Sequence, residues 1–131
     1  MMYDISYRRV SCLSAVCPLK VLKRTHIGFN LSKSQIKTVL NSARFPNKQS
    51  DLVGHAFTKH APNNPKIWGN QRGGPKQWSK DGMNHLRDII RGPGKFKRVK
   101  NDDNRFFYHK TLEDGRGVRL NLDYTFKEFI D

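Results

Sequence analysis

The order of hydrophobic periods predicts an α+β domain, with N-terminal helices packed on a four-stranded antiparallel β-meander. Two observations carry this reading. Three stretches between Asn30 and Arg91 repeat apolar residues at helical spacing, and each ends at a helix-stopping residue. From Lys95 onward the period changes to two, and polar or glycine-containing turns cut the remainder into four short runs. The length of 131 residues suits one such domain with a modest core.

The first helix is expected over 30–45. Ser32-Lys33-Ser34-Gln35 reads as a capping box, and Ile36, Val39, Leu40 and Ala43 follow at helical spacing. Pro46 stops it, because the residue before a proline is pushed out of the helical region. A polar connection leads to a second helix over 50–61, with Leu52, Val53, Ala56 and Phe57 as its apolar stripe. A loop rich in Pro, Asn and Gly is expected over 62–74. The third helix is expected over 77–91, with Ser79 as N-cap, Asp81 facing the helix dipole, and Met83, Leu86, Ile89 and Ile90 buried. Gly92-Pro93-Gly94 ends it.

Strands are expected over 95–99, 105–110, 116–122 and 125–130, with a hairpin turn at Glu113-Asp114-Gly115. Alternation places Val118, Leu120 and Leu122 on one face of the third strand, and Arg119 and Asn121 on the other. The same rule sends Arg116 and Arg119 to opposite faces unless Gly117 marks a bulge. Residues 1–29 read as a weakly structured tail or linker remnant, and 30–131 as the single folded domain.

The formal net charge of +14 speaks about partners rather than fold. Nucleic acid is the first expectation, with an anionic membrane or acidic protein next. Two cysteines, Cys12 and Cys17, make neither a disulfide framework nor a metal knuckle. No apolar stretch is long enough to span a bilayer, and the run after Arg8 and Arg9 is broken by Pro18 and Lys20, so it lacks the form of a signal peptide.

The chemistry concentrates in Gly54-His55-Ala56-Phe57-Thr58-Lys59-His60, where an apolar anchor carries two imidazoles and an ammonium. Metal-free RNA cleavage needs a base for the ribose 2′-hydroxyl, an acid for the leaving oxygen, and donors for the phosphorane. Histidine suits the first two tasks, and lysine and arginine the third. His55 and His60 are therefore the acid–base candidates, with His60 preferred. Lys59 would steady the phosphate or depress a neighbouring imidazole. Arg116 and Arg119 would hold phosphate from the sheet, Arg119 being favoured. In the basic loop, Lys66 and Arg72 flank Trp68, which reads either as a base-stacking platform or as an indole capping the core. Lys127 adds a cation on the last strand. A structural role for both histidines is the competing reading. No carboxylate cluster suits a magnesium site, so neither metal nor cofactor is expected.

The layout resembles the C-terminal ribonuclease domains of bacterial polymorphic toxins, in the broad barnase–EndoU–colicin–RelE grouping. The fragments that carry the resemblance are the Gly54–Ala61 run, Asp114-Gly115-Arg116-Gly117-Val118-Arg119-Leu120-Asn121, and Thr125-Phe126-Lys127-Glu128-Phe129-Ile130. The nuclease of colicin D has a comparable Lys-His-Ala on a helix. The resemblance runs from Ser50 to Asp131. It implies a metal-independent endoribonuclease that cleaves RNA, in particular tRNA, to a 2′,3′-cyclic phosphate. It adds Thr125 as a donor at the last strand. It further implies a monomer behind a long delivery region, used in contact-dependent inhibition, carried into a target-cell cytoplasm and blocked by an acidic immunity protein. A non-catalytic RNA- or DNA-binding module, or an inactive toxin relic, is the alternative that the charge alone allows.

Overall fold

Helices come first and a sheet follows in the computed structural model, which describes residues 28–131. Most of the expected tail, with Cys12, Cys17 and His26, lies outside the described residues. Its last residue does not behave as a tail. Phe29 exchanges two backbone hydrogen bonds with Phe96, and its ring meets Tyr108 edge-on at 5.1 Å.

Helix α1 spans Lys33–Ala43, and its N-terminus is the expected capping box. Ser32 Oγ accepts from the Gln35 backbone, and Gln35 Oε1 accepts from the Ser32 N–H at 2.9 Å. A two-strand hairpin, β1 (Pro46–Asn47) and β2 (Ser50–Asp51), occupies the polar connection. It is too short to leave a periodic signal. Helix α2 runs over Leu52–His60, capped by Asp51. Residues 65–68 form a single helical turn, α3 (Pro65–Trp68), inside the expected loop.

Helix α4 spans Pro75–Arg91 and begins two residues earlier than expected. Pro75 takes its first position, where a missing N–H costs nothing. Ser79 is therefore not the cap. Its hydroxyl donates to Asp51 Oδ2, while Asp51 Oδ1 accepts from Gly54 N–H at 2.8 Å. One carboxylate thus caps α2 and ties it to α4. Asp81 likewise lies beyond the first turn and pairs with Arg72 and Gln77 instead.

These two helices pack closely. A Cβ on Gly82 of α4 would lie 2.7 Å from the Val53 carbonyl oxygen of α2. Their apolar faces then rest on the sheet, and the core gathers Val53, Phe57, Leu86, Ile89, Val118, Leu120 and Phe129.

The sheet is the expected meander: β3 (Lys97–Lys100), β4 (Phe106–Thr111), β5 (Gly117–Leu120) and β6 (Phe126–Ile130), all antiparallel and adjacent in chain order. Gly115 turns the central hairpin with a φ of 101°, a conformation open to glycine. Val118 and Leu120 face the helices, but Leu122 does not join them; β5 ends at Leu120 and Leu122 sits exposed in the following turn. The irregularity in the sheet falls opposite Arg119 and Leu120 on β6, where Lys127 is the extra residue, and not at Gly117. Lys110 is also buried on the helix side. Its ammonium donates to the carbonyls of Ile90 and Gly92 at 3.0 and 2.8 Å, satisfying the end of α4.

The tight contact of α2 and α4 makes a stability prediction. Gly82→Ala should lower unfolding free energy by about 1–3 kcal/mol, because the methyl must displace a backbone carbonyl rather than a side-chain tip. Urea unfolding followed by circular dichroism checks this, and an unchanged midpoint would count against the close packing.

Candidate active site

Four side chains form a row across the sheet. Lys97 pairs with His109, His109 with Arg119, and Arg119 with Glu128, one from each strand. Cross-strand partners share a face. This face is the one turned away from the helices, since Val118, Leu120 and Phe129 occupy the other. The bulge at β6 adds Lys127, whose ammonium lies 4.9 Å over the Phe107 ring.

The row opens into a cleft of about 490 Å³ lined by His60, His109, Thr111, Arg119, Glu128 and Asp131. His109 Nε2 meets Thr111 Oγ1 at 3.0 Å, and its Nδ1 is buried without a partner among the described residues. Burial depresses the His109 pKa, and Arg119 and Lys97 lower it further, which favours the neutral ring. Arg119 donates Nη1 to Glu128 at 3.2 Å and makes no other side-chain bond among the described residues. Its remaining donors are open to a phosphate.

His60 enters from the last turn of α2. Its Nδ1 lies 3.2 Å from Asp131 Oδ2, which also accepts from Trp68 Nε1 at 2.8 Å. Burial opposes ionisation of Asp131, but the bonds from Trp68, His60 and Asn64 overcome it and hold the carboxylate below its usual range. The His60 ring is thus oriented through one nitrogen, and the other is free for chemistry.

His55 and His60 do not form one acid–base pair. Five positions along a helix turn through about 140° net, and His55 opens into a separate cleft with Lys48, Gln71 and Trp78. Burial, Lys59 and Lys48 lower the His55 pKa, in that order. Lys59 itself is exposed on α2.

The other candidates are placed as follows by their partners. Trp68 is buried against Phe129 and His85, so it caps the core and presents no face to a base. Thr125 lies just before β6, at the far end of that strand from Asp131, with its hydroxyl bonded to Asp123 and Asn121. Arg116 turns to the helix side, where Asp114, Asp88 and His85 take its donors at 2.8–3.1 Å. Arg72 is joined to Asp81 by two bonds of 3.3 Å but stays largely exposed, and Lys66 is exposed on α3. His85 is a packing residue. Because Arg116 must donate to its Nδ1, its Nε2 carries the proton that bonds the Trp68 carbonyl at 2.8 Å.

Among the described residues, no three His, Cys, Asp or Glu side chains converge as a metal-binding group. No helix among them is long and apolar enough to cross a membrane.

Comparison with known proteins assigns the chain to a family. The model of the CdiA C-terminal tRNase toxin domain matches residues 40–131. The chain belongs to that family. This CdiA-type domain is accordingly a tRNA-cleaving nuclease and a toxin. It is similar to the toxic C-terminal tip of CdiA from Pseudomonas aeruginosa, solved in complex with its immune protein, at 47% identity and a TM-score of 0.68. That match covers 70% of this chain and 99% of the other. Nothing matches among the curated proteins.

Sequence reading alone missed His109, Thr111, Glu128 and Asp131 as neighbours of the site. The signal was present for two of them. His109 and Arg119 stand equally far on either side of Asp114, the expected hairpin centre, so they must face each other across the ladder.

The assignment of Arg116 is checked by a split result. Arg116→Ala should destabilise the tRNase domain by about 1–3 kcal/mol, because Asp88, Asp114 and His85 lose a shared donor. Its cleavage rate per folded molecule should stay within about threefold. Urea unfolding alongside a tRNA cleavage assay separates the two effects.

Proposed function

We propose that this domain cleaves tRNA by metal-independent transesterification in the sheet-face cleft. The carrying observation is that His60, His109 and Arg119, delivered by α2, β4 and β5, line a single cavity. His109, whose charged form burial disfavours, takes the proton of the ribose 2′-hydroxyl at Nε2, where the substrate hydroxyl replaces Thr111 Oγ1. The oxygen so freed attacks the adjacent phosphorus, and the P–O5′ bond breaks to leave a 2′,3′-cyclic phosphate. His60, oriented by Asp131, protonates the departing 5′-oxygen from its free nitrogen. Arg119, braced by Glu128, meets the charge that builds on the phosphorane, with Thr111 as a further donor. Lys59 and Lys127 stand at the approaches as cations for the flanking backbone. Lys66 on α3 and Arg72 in the loop after it are exposed cations that fit a longer reach of the same RNA.

The domain, expected over residues 30–131, acts as a monomer on its substrate. An acidic immunity protein is its expected antagonist, supported by the immune protein bound to the Pseudomonas aeruginosa relative. Delivery into a target cell, where tRNA is found, follows the same relationship.

The test is cleavage of total tRNA in EDTA by wild type and by His60→Ala, His109→Ala and Arg119→Ala. Each histidine variant should lose about 10²–10⁴-fold in rate, and Arg119→Ala about 10²–10³-fold, with cyclic-phosphate ends on the wild-type fragments. Cleavage that appears only with added magnesium would falsify the metal-free chemistry. Full activity in His109→Ala with loss in His55→Ala would move the centre to the other cleft.

A pH profile tests the base. Because the His109 pKa is lowered, its neutral form persists below the ordinary imidazole value of 6.5. The acid limb of kcat/KM should therefore fall below that value. Lys97→Gln, which removes one cation facing the ring, should move the limb to higher pH.

A further inference from the structure

The second cleft is not used by the chemistry above, yet it has the composition of a recognition site. It encloses about 340 Å³ beside His55, between the β1–β2 hairpin, the loop at Gln71 and the Trp78 ring on α4. Asn47, Gln49 and Gln71 bring three primary amides to it. Among the described residues none of these amides is hydrogen-bonded to a protein partner, although each carries both donors and an acceptor. Trp78 spends its N–H on the Gly73 carbonyl at 3.2 Å, which fixes the ring, and it lines the cleft while packing half-buried against the core. Lys48 sits at the hairpin tip with a left-handed φ of 55°, an uncommon setting for a long side chain, and supplies a cation at the lip.

A flat aromatic face, several unspent amides and one lysine correspond to the parts of a nucleotide: a base to stack, an edge to read and a phosphate to hold. A double helix cannot offer this combination, because its bases are stacked and paired. We propose that this cleft is a specificity pocket that takes one unpaired nucleobase of the tRNA, stacked on Trp78 and read by Asn47, Gln49 and Gln71. The inference rests on the tRNase reading and adds to it a contact away from the scissile phosphate.

The placement on α2 supports the division of labour. His55 and His60 look into different clefts, and Lys59 lies between them around the helix. A strand that crosses this helix near Lys59 can set its backbone in one cleft and a neighbouring base in the other. His55, whose charge is disfavoured by burial and by Lys59 and Lys48, serves there as a neutral hydrogen-bonding wall.

The experiment compares two RNA probes: total tRNA and a blunt RNA duplex with no unpaired base. Affinities are measured in the His109→Ala background, under conditions in which a gel shows the tRNA intact. Trp78→Ala and Gln71→Ala should each weaken tRNA binding, on the order of tenfold to a hundredfold for the indole, and collapse the preference for tRNA over duplex. Trp78→Phe, which keeps an aromatic face, should hold most of that preference. Gln71 is exposed, so its variant reports on the pocket even if Trp78→Ala fails to fold. Unchanged tRNA affinity in both alanine variants, or an equal loss on both probes, overturns the proposal. A His109→Ala protein that still cuts tRNA defeats the proposed chemistry instead, and the affinity ratio between probes is then read at short times.

Discussion

Everything in this domain depends on how closely α2 and α4 approach. Gly82 has no side chain because the Val53 carbonyl occupies the space one would take, and Gly54 is similarly hemmed in by Ser50, Asp51 and Ser79. The Asp51 carboxylate then fastens the two helices at their N-terminal ends. This contact fixes the rotation of α2 about its own axis. That rotation in turn puts Phe57 into the core, His55 into one cleft and His60 beside Asp131 at the other. A helix one residue out of phase would bury a different stripe and aim both imidazoles elsewhere, so the glycines act on function through packing.

The sheet contributes in a different way. Alternation along each strand lets one face be apolar while the other carries ionisable groups, and antiparallel pairing lines those groups up across strands. Lys97, His109, Arg119 and Glu128 form such a row without any of them crossing the core. The exception on the inner face is Lys110. It is tolerated because its ammonium reaches two carbonyls that would otherwise end α4 unsatisfied. Burial lowers its pKa, as expected for a cation whose partners are dipoles rather than a carboxylate.

Most of the fold was legible because its signals are local. The capping box at Ser32, the helical stripes and the change to a two-residue period at Lys95 each follow from neighbouring residues, and the structure has the elements they announce. What escaped was either too short to be periodic, such as β1, β2 and α3, or decided by tertiary partners. Ser79 looked like a cap until Pro75 started the helix earlier, and Trp68, open to two readings from sequence, is settled as a core cap by Asp131 and Phe129. The site followed the same division. His60 and Arg119 were visible as chemistry-bearing residues in suggestive positions. Their convergence with His109 and Asp131 depends on register and on where the end of β6 meets α2, which composition does not encode. Thr125 was expected by family resemblance alone, and strand length separates it from the cleft.

The allocation of charge completes the argument. Twenty-five Lys and Arg face eleven Asp and Glu in this chain, so cations must outnumber any internal partners. The ion pairs among the described residues draw on Arg72, Arg116, Arg119 and His60, and none uses a lysine. Arginine, with its planar fork, takes the tasks that need fixed geometry: Arg116 joins α4 to the hairpin turn, and Arg119 is held by Glu128 in the row. Apart from the buried Lys110, lysine is exposed around them, notably at Lys48, Lys59 and Lys127, where a flexible point charge suits a polyanion of variable path. Paired carboxylates are thus spent on the fold at Asp51, Asp81, Asp88 and Asp114 and on the site at Glu128 and Asp131, and the surplus positive charge is left for the tRNA backbone, whose binding should be correspondingly sensitive to salt.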